Sequence, residues 1–201
     1  MTTAEVQAGY PVIVVFDPPE RVPRWMPIIG WLLAIPHIIV LYVLMIVADV
    51  LMVIAWFCGV IAGRIPAGMV GFIAGVDRYR LRVATYLLFV RGSYPAFGGD
   101  FSLDDSGTDP VVRIDYGPTL ERRSRLTIFF RGLLVLPHMI VLAILGIALY
   151  IVMIIAWFAV LILGRWPVGL RDFVLGCLRW STRVGAYYML VVDEYPPFSF
   201  N

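Results

Sequence analysis

Two histidines, and no others, stand in this chain: His37 and His138, each directly after a proline and each about a third of the way into a long apolar run. Imidazoles in such surroundings suit three kinds of chemistry. They could relay protons, pair as ligands to a metal or haem, or satisfy a backbone carbonyl that the preceding proline leaves free. No Cys, Glu or third His stands at ligand spacing. The residue types therefore point to a structural role, with no metal and no cofactor expected. Arginine supplies the second set of candidates. All sixteen basic residues are Arg, so every fixed cation is a planar fork suited to carboxylate or phosphate. Arg64 and Arg165 each follow an expected helix end, where a cation can offset the helix dipole or hold a lipid phosphate. Arg78 with Arg82, and Arg179 with Arg183, lie one helical turn apart, so one phosphate or carboxylate could meet two guanidinium forks. These six arginines are the expected lipid- or partner-binding residues, the alternative being plain interfacial anchoring.

These candidates come in pairs because the chain is written twice. Pro36-His37 returns as Pro137-His138, Ala55-Trp56-Phe57 as Ala156-Trp157-Phe158, and Gly63-Arg64 as Gly164-Arg165. Arg78, Arg82 and Tyr86 return as Arg179, Arg183 and Tyr187, and Tyr94-Pro95 as Tyr195-Pro196, all at one constant spacing without a gap. A repeat of this kind decides architecture before any local reading does. The hydrophobic share is 61% and the charged share 15%, against roughly 45–50% and 25% for soluble domains. Composition and long apolar runs together read as a membrane protein. A net charge of +2 gives no electrostatic footprint for nucleic acid. Cys58 and Cys177 occupy unmatched repeat positions, which supports neither a disulfide framework nor a metal site.

The elements that must position these residues follow. Residues 1–9 read as a disordered tail. Residues 10–16 and 110–116 read as strands, each stopped by proline or Gly-Pro and each followed by a basic cluster: Arg21 and Arg24, then Arg122, Arg123 and Arg125. The apolar runs 26–62 and 126–163 are each about twice the roughly 20 residues that cross a bilayer once. One reading makes each run a tight hairpin of two spans, turning near Val47-Ala48-Asp49 and near Gly146-Ile147. The other lays the residues before Pro36 and Pro137 along the interface, with one tilted span after them. Arginine flanks both ends of both runs, and cytoplasmic flanks carry the positive excess. The charge pattern favours hairpins: four spans, both termini and the 98–109 linker cytoplasmic, and Asp49 in an outer turn. After Gly-Arg-x-Pro, residues 67–90 and 168–191 read as amphipathic helices lying in the interface, with the paired arginines outward. The linker, with four Asp, three Gly and two Ser, reads as solvated. The expected division is a first repeat unit over 10–98, an acidic linker over 99–109 and a second unit over 110–200. The two units should pack with pseudo-two-fold symmetry, strands together and covered by the Tyr-Pro segments.

Pro-His early in an apolar run, Trp-Phe later, Gly-Arg-x-Pro, Arg-x-x-x-Arg-x-x-x-Tyr and a closing Tyr-Pro-x-Phe together resemble the bacterial membrane family catalogued as domain of unknown function 4389, once over about residues 20–98 and again over 121–199. The resemblance implies a bacterial integral membrane protein with the unit in tandem, and brings no activity or catalytic residue. The expected fold class is all-α integral membrane: duplicated helical hairpins with amphipathic interfacial helices and short flanking strands. No phosphate-binding Gly-Lys-Ser/Thr loop, His-Glu-x-x-His helix or Gly-x-Ser-x-Gly elbow occurs. The expected function is a non-enzymatic accessory or scaffold in the bacterial inner membrane that binds lipids, other membrane subunits or copies of itself. A carrier or pore built from the repeats is the alternative, and a membrane enzyme with His37 or His138 as base is a third reading.

Overall fold

The computed structural model describes residues 10–98, 100–117 and 123–200; the expectations for the tail 1–9, for Pro118 and for Arg122 fall outside them. Its elements are β1 (Val12–Phe16), α1 (Met26–Leu33), α2 (Ile35–Ala62), α3 (Ala67–Leu87), β2 (Val112–Tyr116), α4 (Arg125–Leu163) and α5 (Val168–Tyr188). The mostly helical fold with a small sheet is as read. The hairpins are not. Val47, Ala48 and Asp49 lie inside α2, and Gly146 and Ile147 inside α4, with no turn at either place. Neither site contains proline, and a lone helical glycine costs about 1 kcal/mol, too little to break a ladder that apolar residues continue on both sides. Two helices, α2 and α4, are therefore long and apolar enough to cross a membrane.

Both long helices end on glycine for a stated reason. Gly63 and Gly164 have φ near +67° and +66°, the left-handed cap conformation that glycine adopts without a Cβ penalty. Their amides close onto Gly59 O and Val160 O. Proline then starts the return, with Pro66 before α3 and Pro167 before α5.

The two repeats interlock by reciprocal bonds. Trp56 Nε1 donates to Ile128 O at 3.1 Å, and its counterpart Trp157 donates to Pro27 O at 2.9 Å. The Val22 amide donates to Gly164 O, and the matching Arg123 amide to Gly63 O. The C-terminal half of each long helix thus meets the beginning of the other, so α1–α2 and α4 run antiparallel. β1 and β2 pair antiparallel through Val14↔Ile114 at the centre. The expected pseudo-two-fold packing and strand pairing are present.

Three layers result. The long helices form the first. α3 and α5 each run back along their own long helix and form the second. The two-stranded sheet forms the third, with β1 seated on α5 and β2 on α3, so each strand packs on the other repeat's helix. One hydrophobic cluster draws on both repeats. Helix α3 is consequently buried along most of its length, which corrects the expectation that it lies at an interface with its arginines outward.

The reciprocal tryptophan bonds carry a direct expectation. Trp56→Phe and Trp157→Phe should each lower unfolding stability by about 1 kcal/mol, the net worth of one hydrogen bond, and by near-equal amounts. Thermal unfolding of the two variants checks this; a several-fold inequality would refute their equivalence.

Candidate functional site

The histidines are built into matching aromatic cages. His37 Nδ1 lies 2.6 Å from the Tyr79 hydroxyl, and Phe97 stacks on its ring at 4.0 Å with Tyr94 alongside at 4.6 Å. His138 Nδ1 accepts from Trp180 Nε1 at 3.1 Å, with Phe198 stacked at 3.9 Å and Tyr195 at 4.9 Å. An indole N–H only donates, so the neutral His138 carries its proton on Nε2. The carbonyl three residues before each proline accepts from a tyrosine. Tyr94 donates to Leu33 O and Tyr195 to Leu134 O. The closing Tyr-Pro-x-Phe motif is therefore the lid of the Pro-His motif. It does not cover the sheet, as the sequence had suggested. No group of three or more potential metal ligands occurs among the described residues.

Arginine divides into an inner and an outer set. Arg78 is fully buried and donates to the carbonyls of Asp100, Ser102, Leu103 and Ile114. Its Nε also lies 3.2 Å from Asp105, which pairs with Arg82 at 3.2 Å as well. Arg91 is buried against Asp109 at 2.8 Å. Burial opposes ionisation of Asp109, but hydrogen bonds from Arg91 and from the Val111 and Val112 amides outweigh it and hold the carboxyl below its ordinary range. The acidic linker is thus held to the fold through Asp105 and Asp109, while Asp104, Ser106 and Thr108 stay exposed. It folds onto α3, and Gly75 makes that approach possible: a Cβ there would stand 2.6 Å from Asp100 O and 2.7 Å from Phe101 Cα. In the second repeat Arg183 is buried, donates to Ser199 O at 2.7 Å, and its main-chain carbonyl accepts from the Tyr10 hydroxyl at 3.3 Å. Arg179 is half-buried, its guanidinium 5.3 Å from the Phe16 ring centre. Burial lowers the pKa of both arginines. Arg78, Arg82 and Arg183 are enclosed by the chain's own acceptors, which revises their expected role toward outside headgroups.

The outer set lies at the ends of the long helices. Arg64 and Arg165 are exposed, as are Arg24 and Arg125. Arg125 passes over Gly63 and Arg24 over Gly164, each with Nε 3.3 Å from where a Cβ would be. Each end of the helix pair therefore carries two arginines from different repeats: Arg64 with Arg125, and Arg24 with Arg165. Between them runs a long apolar face. Ile39, Tyr42, Ile46, Val50, Phe57 and Ile61 are exposed along α2, and Leu133, Ile140, Ile144, Ile147, Ile151 and Ile162 along α4. The opposite side of each helix is turned inward, through His37, Ala48, Ala55 and Gly59 on α2 and through His138, Ala156 and Val160 on α4.

One functional-looking residue escaped the sequence reading. Arg131 lies within the second apolar run, where the first repeat has Gly30. It is buried and donates to Tyr187 O, Val192 O and Asp193. The mismatch between repeats was the available signal.

These features describe a duplicated, mostly helical chain with a broad apolar face rimmed by arginine. A family model described as Domain of unknown function (DUF4389) matches residues 28–98 and again 125–199. The chain belongs to that family and holds two tandem copies of its domain. No curated protein and no solved structure matches it.

The inner ion pairs set an acid limit. A carboxyl whose folded pKa is depressed stabilises the fold above its unfolded value, near 3.9, and that contribution is lost as pH falls through the folded value. The share of stability that Asp109 supplies should hold from pH 7 down to about pH 5 and fall away below about pH 4. Asp105→Asn, which breaks two buried pairs, should cost about 3–5 kcal/mol. Unfolding followed against pH, with and without the substitution, measures both; an Asp105→Asn protein as stable as the parent would disprove the network's role.

Proposed function

We propose that this protein is a non-enzymatic scaffold embedded in one leaflet of a membrane, its antiparallel helix pair lying in the membrane plane and its arginine rims holding anionic headgroups. The observation that carries the reading is the apolar face, exposed from Ile28 to Ile61 and from Leu126 to Leu163. At 1.5 Å per residue those rows are about 50 and 56 Å long, whereas the hydrocarbon core is about 30 Å thick. A helix about 10 Å across fits within one leaflet.

A transbilayer placement meets a physical objection. Layers two and three run alongside the helix pair, so they would be carried into the hydrocarbon. The exposed linker residues Asp104, Ser106 and Thr108 and the ion pair Arg113–Asp115 would then face lipid, and irregular polar backbone does not face lipid at that depth. Asp49, one residue from buried Ala48, would lie mid-bilayer at a cost of about 2.5–3.5 kcal/mol. In the plane it stands on the flank of the face and can reach the headgroups. The rims agree with this placement. Equal arginine pairs at the two ends give no charge asymmetry to orient a crossing helix, yet they suit a surface whose ends lie at one depth.

Two measurements test the proposal. Spin labels at Ile39, Ile46, Val50 and Phe57, in a Cys58→Ala, Cys177→Val background, cover about 27 Å of helix. Power saturation in vesicles should give them one common depth; a profile passing from shallow through deep to shallow would show a crossing helix and overturn the in-plane reading. Replacing Arg24, Arg64, Arg125 and Arg165 by Gln should weaken partition into anionic vesicles by about 1 kcal/mol per residue while leaving zwitterionic vesicles unaffected.

A further inference from the structure

The repeats differ at one place in a way that opens a cleft. In the second repeat Arg131 fills the space beneath Tyr187: its guanidinium stands 4.5 Å from that ring's centre and pairs with Asp193 at 2.7 Å. In the first repeat the matching residues are Gly30 and Gly92, and both the guanidinium and the carboxylate are gone. What remains is a cleft of about 530 Å³ lined by Trp25, Leu32, Leu33, Pro36, Tyr86, Gly92 and Tyr94. Its volume lies within the roughly 300–1,000 Å³ of small-molecule sites. Trp25, Leu32 and Leu33 are exposed on the same apolar side as α2, so the cleft is continuous with the face assigned above to the membrane.

Tyr86 gives the cleft a polar handle. The residue is 1% exposed, and its hydroxyl is buried with no partner among the described residues. A buried hydroxyl left unpaired costs about 1–3 kcal/mol. Its counterpart Tyr187 has Arg131 against its ring and donating to its main-chain carbonyl at 2.9 Å. Tyr86 has no such neighbour.

We infer that this cleft binds one ester-linked acyl chain of a membrane lipid, with the Tyr86 hydroxyl donating to the ester carbonyl and Trp25, Leu32 and Leu33 enclosing the chain. The inference rests on the membrane reading above. An acyl chain matches an apolar lining that opens on a lipid-facing surface. A carbonyl oxygen supplies the one acceptor the hydroxyl lacks, and neither feature calls for a charged ligand. The second repeat, filled by its own arginine, binds none.

The repeats provide an internal control for the test. The full chain is reconstituted with phosphatidylcholine carrying a diazirine on one acyl chain, illuminated and digested. Cross-links should fall on the Trp25–Pro36 peptide at least five-fold more than on its counterpart Leu126–Pro137. Gly30→Met, which lays a flexible apolar chain along the path of Arg131 and raises helix propensity, should equalise the two. Tyr86→Phe, which removes only the hydroxyl, should lower the preference several-fold. Equal labelling in the unsubstituted chain, or an undiminished preference in Gly30→Met, overturns the inference. Competition by free palmitate but not by unlabelled phosphatidylcholine would assign the cleft to a fatty acid and likewise overturn it. Vesicle flotation of each protein is measured in parallel. Failure of the parent to float rejects the membrane reading, and the cleft is then judged on the peptide ratio in detergent alone.

Discussion

Buried arginine is the constraint around which this molecule is arranged. A guanidinium brings five donors and a permanent charge, so it enters an interior only where acceptors come with it. Arg78 gathers four main-chain carbonyls and a carboxylate. Those acceptors come from the linker and from β2, which must therefore close over α3. Small residues on that face of α3 follow from this, since Gly71 and Gly75 lie under the backbone of Phe101 and Ser102. Asp105 and Asp109 are placed by the same demand. Asp105 also accepts from the Ile114 amide, so one carboxylate fixes two cations and the register of the strand beside them. Two of the linker's four aspartates thus serve internal chemistry. They let a charged helix sit between an apolar helix pair and a sheet.

Exchange between the repeats completes the design. A single repeat has one long helix with an inward stripe, one buried helix and one strand that has no partner within the repeat. A lone two-stranded ribbon is marginal even when paired, and a lone strand has nothing to pair with. The antiparallel pairing of β1 with β2 removes that problem for both at once. The same two-fold relation lays each strand on the other repeat's helix and sets each indole against the other repeat's carbonyl. A pseudo-two-fold axis normal to the layers also gives the two long helices the same exposed side. One continuous apolar face is therefore a consequence of the duplication.

The sequence showed the repeat, the strands, the helix stops and the pairing of the units plainly, because each depends on local chemistry: proline and glycine at fixed positions, β-branched runs, a constant spacing. It also offered a structural role for His37 and His138 beside a proton-relay or ligand one. It hid whatever depends on contacts between distant residues. That Tyr94 and Phe97 close over His37 cannot be read from a separation of some sixty residues. Counted as composition, four aspartates in twelve positions look solvated; only the fold reveals that two of them face buried arginines. The hairpins failed for another reason. A helix apolar on all sides gives no moment to tell its inward face from its outward face, so length and flanking charge are the only guides, and both are measured against a crossing. Arg131 is hidden in the sequence because the run around it is apolar on average.

The charge pattern behind the hairpins was nevertheless a real constraint. For a chain in a membrane, as proposed, arginine at both ends of each run asks for both ends on one side, and a turn is one way to supply that. A helix lying in the plane supplies it as well, without a turn, because neither end leaves the surface. Under that geometry the equivalent arginines Arg64 and Arg165, at opposite ends of the pair, lie at the same depth. Were the pair to cross the bilayer, its antiparallel sense would invert one repeat against the other and send equivalent residues to opposite sides. Two copies with the same Gly-Arg-x-Pro signature are more readily reconciled with a shared environment than with opposed ones. On the proposed placement, the symmetry of the fold and the symmetry of its charges thus make the same demand.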